Sequence, residues 1–221
     1  MRIDRPVGIV ARMESSPKRA PAREKLLAAA VQLIRARGYA ATSIDAICRQ
    51  AGVAKGAFFH HFESKDALAI AAAEHWSTTT SALFAEAPYH APADPLARVL
   101  GYLDFRQSLL AGAPETFTCL VGTMVQETFA SAPSIRDACE ASISGHAQTL
   151  EADIAAAMSL YGVQDAGCPR SLALHFQAVL QGGFILAKAK NDGAVAIKSI
   201  EHLKRYVGLL FAPGRARTTQ E

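Results

Sequence analysis

TSIDAICRQAGVAKGAFFHHF, residues 42–62, is the stretch on which the fold of this 221-residue chain turns. Ile44, Ile47, Cys48 and Ala51 recur at the three-and-four spacing of one buried helical stripe. Thr42 precedes that stripe and Asp45 follows three residues on, an order in which a hydroxyl and a carboxylate satisfy free amides at a helix start. Gly52 supplies the permissive backbone needed to stop one helix and turn sharply into another. The second helix opens with Lys55, Gly56 and Ala57 and runs into Phe58, Phe59, His60, His61 and Phe62. A helix entering a major groove needs small side chains for close approach, donors for phosphates and base edges, and an apolar back for docking. This stretch has all three, and it reads as a helix-turn-helix with a DNA-facing second helix.

Outward from it the pattern stays helical. Upstream, a helix over 21–37 turns Leu26, Leu27, Ala30, Val31 and Ile34 inward and stops at Gly38. With helices over 43–51 and 55–61 it makes a three-helix DNA-binding domain. Downstream, Ser64 caps a fourth helix with Asp66 in its first turn; it passes Trp76 and reaches towards Phe84 before Pro88, Pro92 and Pro95 break the pattern. Five more helices are expected at about 95–111, 115–130, 134–161, 169–190 and 194–211. Strand patterning is nearly absent, so the expected fold class is all-α. The expected division is a disordered basic tail (1–20), a helix-turn-helix domain (21–66), a larger domain (67–212) and a frayed tail (213–221).

Half the residues are apolar, enough for a proper core. No consecutive apolar run approaches the roughly eighteen residues of a membrane span, so no membrane role is expected. The opening MRIDRPVGIVARMESSPKRAPAREK lacks the long apolar core of a secretory signal, and Met13 is a second candidate start. Cys48, Cys119, Cys139 and Cys168 show neither paired spacing nor a metal pattern with histidines; reduced thiols in a bacterial cytoplasm are expected, with no metal and no cofactor. The net charge of +3 conceals an asymmetry: residues 1–65 carry +7 and residues 66–221 carry −4. A basic N-terminal third on a mildly acidic remainder suits one end that meets a polyanion. About half of that basic excess lies in the first 25 residues, where it either binds DNA nonspecifically or is simply solvated.

From about Arg23 to Ala72, through KLLAAAVQLIRARGYAATSIDAICRQAGVAKGAFFHHFESKDALAIA, the chain resembles the tetracycline-repressor (TetR) family of bacterial transcription regulators. Gly38–Tyr39, Gly52–Val53, the Phe-His-His-Phe run and Ser64–Lys65 carry the likeness. It implies nine helices, three for DNA and six for ligand binding and dimerisation, and a regulator, usually a repressor, on double-stranded operator DNA. The DNA-binding residues it implies are Thr42, Ser43, Lys55, Gly56, Ala57, Phe59, His60 and Lys65, with Thr42 and Lys65 clamping phosphate at two helix starts. Two departures matter. Ala54 stands where members commonly carry Ser or Thr, so a helix cap worth about 1 kcal/mol is absent. Phe59 stands where relatives often carry Tyr, so the ring remains but a phosphate bond is lost.

In the larger domain the resemblance implies a pocket for a small-molecule effector. Its candidate walls are Trp76, Tyr102, Phe105, Arg106, Phe117, Cys119, Met124, Phe129, His146 and Phe176. TFTCLVGTMVQE, residues 116–127, is similar to a subgroup with cysteine at the start of this helix, which leaves Cys119 either a thiol that senses electrophiles or oxidants or a small buried hydrophobe. The last two helices carry apolar faces with Gly182 and Gly183. A symmetric homodimer interface through Phe176, Leu180, Gly183, Phe184, Leu203, Tyr206 and Leu210 is expected, with an intrachain core as the alternative. No nucleophile elbow, paired-histidine metal motif or phosphate-cradling glycine loop supports an enzyme. A DNA-binding dimer without an effector is the remaining alternative.

Overall fold

A computed structural model describes residues 21–164 and 166–212. The expected tails at 1–20 and 213–221, and Met13 with them, lie outside the described residues. Every regular element among the described residues is helical: α1 (Ala22–Arg37), α2 (Ile44–Ala51), α3 (Lys55–His61), α4 (Lys65–Ala85), a 3-10 turn (Pro88–His90), α5 (Pro95–Ser108), α6 (Pro114–Phe117), α7 (Leu120–Thr128), α8 (Pro133–Tyr161), α9 (Pro169–Lys190) and α10 (Ala194–Leu210).

The first helix forms as its spacing predicts, with Leu26, Leu27, Ala30, Val31 and Ile34 buried. Gly38 ends it at φ 88°, donating its amide to the Ile34 carbonyl. The start of α2 differs from expectation. Ser43, not Thr42, is the cap, its hydroxyl accepting from the Ala46 amide at 3.1 Å. Thr42 is 1 % exposed and donates instead to the Gly38 carbonyl at 2.7 Å. One residue of slip lets the buried threonine close the α1–α2 loop while the exposed serine serves the helix. Gly52 takes the left-handed conformation (φ 65°, ψ 37°) that turns α2 into α3. As expected, Ala54 gives α3 no side-chain cap, whereas Ser64 caps α4 by accepting from Ala67 N at 3.0 Å.

One helix was expected over 115–130, and two are present. Thr118 and Cys119 are extended between α6 and α7. The break has a tertiary cause: the Thr118 carbonyl accepts from Arg35 Nε at 2.7 Å, taking that oxygen out of the helical ladder. Cys119 then restarts the helix, its sulfur receiving the Gly122 amide at 3.4 Å.

Helix α8 is the central post, packed by α4, α5, α7 and α9, and α10 closes over α9. Helix α1 packs on α2, α3 and α4 and also on α6 and α7, so the three-helix head rests directly on the α6–α7 elbow. The buried apolar cluster runs without interruption from Leu26 to Phe211. By length and mean hydropathy (1.2) α9 alone among the described residues could cross a membrane; 44 % of that window is buried, and its inner side packs on α8 and α10.

Candidate DNA interface and internal cavities

On α3, Lys55, Gly56 and His60 are exposed, Phe59 is 52 % exposed and Ala57 half-buried. Phe58 is buried beneath them, edge-on to Phe59 at 5.2 Å and tilted against Phe62 at 5.8 Å. That anchor fixes α3 while leaving the small and polar residues outward. Lys55 Nζ pairs with Asp45 at 2.9 Å, which sets the first turn of α2 beside the start of α3. Both partners are well exposed, and such pairs contribute at most about 1 kcal/mol, so Lys55 is free to exchange its carboxylate for a phosphate. A Cβ on Gly56 would meet nothing. Ser43 is exposed at the α2 start.

Two expected phosphate clamps are occupied otherwise. Thr42 is buried, as above. Lys65 is half-buried; its ammonium donates to the carbonyls of Tyr39 (3.0 Å) and Thr42 (3.2 Å) and sits 4.1 Å from the Tyr39 ring centre. The α1–α2 loop presents carbonyls there, and these draw the cation inward. The Tyr39 hydroxyl donates to Asp66, and burial together with that carboxylate raises its pKa well above the ordinary phenol value.

The loop is also held from the other side. The Glu127 carboxylate, near the end of α7, accepts from the amides of Tyr39 (3.0 Å) and Ala40 (2.8 Å). Helix α7 is therefore tied to the head at both ends, by Arg35 to Thr118 and by Glu127 to the loop.

An outer cavity of about 220 Å³ lies between α7 and α9, lined by Thr118, Cys119, Gly122, Thr123, Gln126, Glu127, Gln181, Phe184, Ile185 and Lys188. An inner cavity of about 30 Å³ shares Cys119, Gln181 and Phe184 with it and adds Trp76, Thr80, Phe84, Arg106, Phe117, Val121, Ser142, Ile143, His146 and Gln177. Of the expected wall residues, Trp76, Arg106, Phe117, Cys119 and His146 are thus brought together. Tyr102 stands one layer behind: its hydroxyl lies 3.0 Å from His146 Nε2 and receives Gln177 Nε2 at 3.3 Å. Phe105 packs edge-on to Phe84 at 5.2 Å. Met124 and Phe176 are fully buried and line neither cavity, and Phe129 is exposed. Aromatic or long apolar character at helical spacing does not separate a wall from a core.

The same limit applies to the last two helices. Phe176, Leu180, Gly183, Phe184, Leu203 and Leu210 are buried within the chain, and only Tyr206 of the expected interface set is exposed. The exposed apolar side chains of these helices are Leu174, Ile185 and Leu186 on α9, of which Ile185 also lines the outer cavity, and Tyr206 and Leu209 on α10, with open space over Gly182 and Gly208.

The family model "Bacterial regulatory proteins, tetR family" matches residues 26–72, a span that begins in α1 and ends in α4. Over this span the chain carries the DNA-binding segment of the TetR family. It is a transcriptional regulator with a DNA-binding head, not an enzyme, as its relatives also indicate. It is 26 % identical over 176 residues to the HTH-type transcriptional regulator LmrA of Bacillus subtilis, covering 77 % of this chain and 88 % of that one. It is 39 % identical over 54 residues to YerO of the same organism, a match that spans 24 % of this chain and 19 % of YerO's length. The solved regulatory protein TetR from Rhodobacter sphaeroides shares the fold, with a TM-score of 0.75 at 23 % identity over 85 % of this chain and 99 % of that one.

Several residues of the head and of the cavities do not stand out in the sequence. Arg35 lies four residues after Val31, on the buried stripe of α1, and an arginine at a core spacing is a signal that was there to be used. Glu127 and Lys188 gave no such signal, since exposed charges on helices are ordinary. His146 is driven down to about 3, chiefly by burial and then by the charge of Arg106, so its imidazole is neutral near pH 7. Its folded value lies below the ordinary 6.5, so the stability it contributes is present above that value and lost as pH falls towards about 3. The melting temperature is expected to drop on acidification through this window, and His146→Gln to flatten the drop. Equal acid sensitivity in the variant would remove His146 as the cause.

Proposed function

We propose that this chain is a homodimeric repressor that a small molecule releases from a palindromic operator in the bacterial cytoplasm. The observation that carries this is the double attachment of α7: one wall of the outer cavity is a helix tied at both ends to the DNA-binding head. A molecule that shifts α7 moves Arg35 and the Tyr39–Ala40 loop with it. The effector need only prefer the displaced arrangement, and tenfold weaker operator binding corresponds to about 1.4 kcal/mol of coupling.

In this reading Lys55 and His60 meet phosphates or base edges, and Gly56 and Ala57 allow close approach. Phe59 lays its ring on sugar or a thymine methyl, and Ser43 meets phosphate from the start of α2. Thr42 and Lys65 act indirectly, by shaping the loop that sets α2 against α1. A second reading follows from Cys119, whose half-buried thiol lines both cavities and receives the Gly122 amide: an electrophile captured there would strain the same elbow.

The operator demands two heads about 34–36 Å apart, hence two chains. The partner face is the exposed apolar stripe of α9 and α10, on which Leu209 is 69 % exposed. Leu209→Asp is expected to reduce the mass in solution from two chains to one. Loss of paired attachment then weakens operator binding by about a hundredfold or more. A wild-type chain that is monomeric by light scattering while fully competent for its operator would overturn the dimer.

A further inference from the structure

We propose that the effector is a small carboxylate on a flat apolar body, its charge received by Arg106 in the inner cavity, with Arg35 as a second cation behind the cavity wall. Resting on the effector role proposed above, this names the class of molecule that fills it. The inner cavity is lined by no aspartate or glutamate. Its histidine is neutral, so Arg106 is its one charge. The Arg106 guanidinium lies 5.2 Å from the ring centre of Phe84 and 5.9 Å from those of Tyr102 and Phe184. Its Nε is buried without a hydrogen-bond partner, and no ion pair among the described residues includes it.

Arg35 repeats the situation one layer away. It is 1 % exposed and stacks 5.0 Å from Trp76, itself a wall of the inner cavity. Nε is spent on the Thr118 carbonyl, but Nη1, Nη2 and the Thr118 hydroxyl are buried without partners. Glu115, whose charge Arg35 feels, is exposed and makes no ion pair with it. Two guanidiniums held in aromatic surroundings without counter-charge are an unmet demand for an anion, because ring faces compensate only part of a cation's lost hydration. A guanidinium fork matches a carboxylate in particular.

The walls set the rest of the molecule. Trp76, Phe84, Phe117 and Phe184 present flat apolar surface, and Gln181 with Cys119 divides the inner from the outer cavity. The Gln181 amide rests on Gly122, where a Cβ would displace it, so one flexible side chain separates the two spaces. A benzoate-sized molecule that moves Gln181 reaches Arg106 with its carboxylate while its body lies along α7. Thr118 and its bond to Arg35 then form the route from ligand to head.

The test uses the full-length dimer and a panel of aromatic and short aliphatic monocarboxylates, led by benzoate, each beside its primary amide and amine. Melting temperature and operator retention are read for wild type, Arg106→Gln, Arg106→Lys and Cys119→Ser. At least one carboxylate is expected to raise the melting temperature and release the operator where its amide and amine do not. Arg106→Gln should weaken that carboxylate by about thirtyfold or more. Should the Gln variant not fold, Arg106→Lys, which keeps the charge and loses the fork, is expected to bind the carboxylate more weakly yet still above its amide. Cys119→Ser, whatever its own affinity, should keep the preference for the carboxylate over its amide and amine, which separates ionic recognition from thiol capture; a variant that loses the response to all three overturns the ionic assignment. Amides or amines acting as well as the carboxylates, or an undiminished response in Arg106→Gln, would overturn the anion assignment and leave the effector role standing. Silence of carboxylates, amides and amines alike would overturn both.

Discussion

Gly56→Glu is expected to weaken operator binding by about a hundredfold or more while leaving the fold as stable as before. Gly56 is the second residue of α3, and a side chain there meets no protein atom. Within the chain the change is mildly favourable: glutamate is a better helix former than glycine, and an acid in the first turn suits the helix dipole. Against DNA it is doubly unfavourable. It fills the space through which the backbone approaches the groove and sets a like charge before phosphate, a juxtaposition that costs several kcal/mol. Fluorescence anisotropy on operator DNA and thermal melting of the same sample separate the two effects. Gly56→Ala should fall between wild type and the glutamate variant. Full operator affinity in Gly56→Glu would mean that α3 does not face the groove.

Gly38→Ala is expected to remove about 2–4 kcal/mol of folding stability, a large share of what a domain of this size possesses. Two causes act together. At φ 88° an L side chain is strained whatever the space around it. Its Cβ would also overlap the Glu127 carboxylate, which must then release the amides of Tyr39 and Ala40. A double-mutant cycle with Glu127→Ala separates them, since removing the carboxylate relieves the overlap and leaves only the backbone strain. The denaturation midpoint reports stability. If Gly38→Ala alone melts with wild type, the attachment of α7 to the head is not as described.

Local signals made most of the architecture legible. Gly38, Gly52 and Ser64 punctuate the chain at positions fixed by backbone conformation and capping, so the first four helices fall where their residues put them. The helix over 115–130 failed as one piece because a residue 83 positions away, Arg35, claims the Thr118 carbonyl. Periodicity carries no information about such a bond. Thr42 and Lys65 show the same limit from another side. Each has the chemistry to hold phosphate, but loop carbonyls reach it first. For Phe176, Leu180 and Leu203, a helical stripe states that a face is covered and not whether α8, α10 or a second chain covers it.

Footprinting of the purified chain on the DNA upstream of its own gene, over a range of salt, tests the central claim most directly. A twofold-symmetric protected region is expected, with half-sites about one helical turn apart and affinity falling steeply as salt rises. Absence of protection at moderate ionic strength, or weak binding indifferent to sequence, would contradict an α3 built to enter the groove.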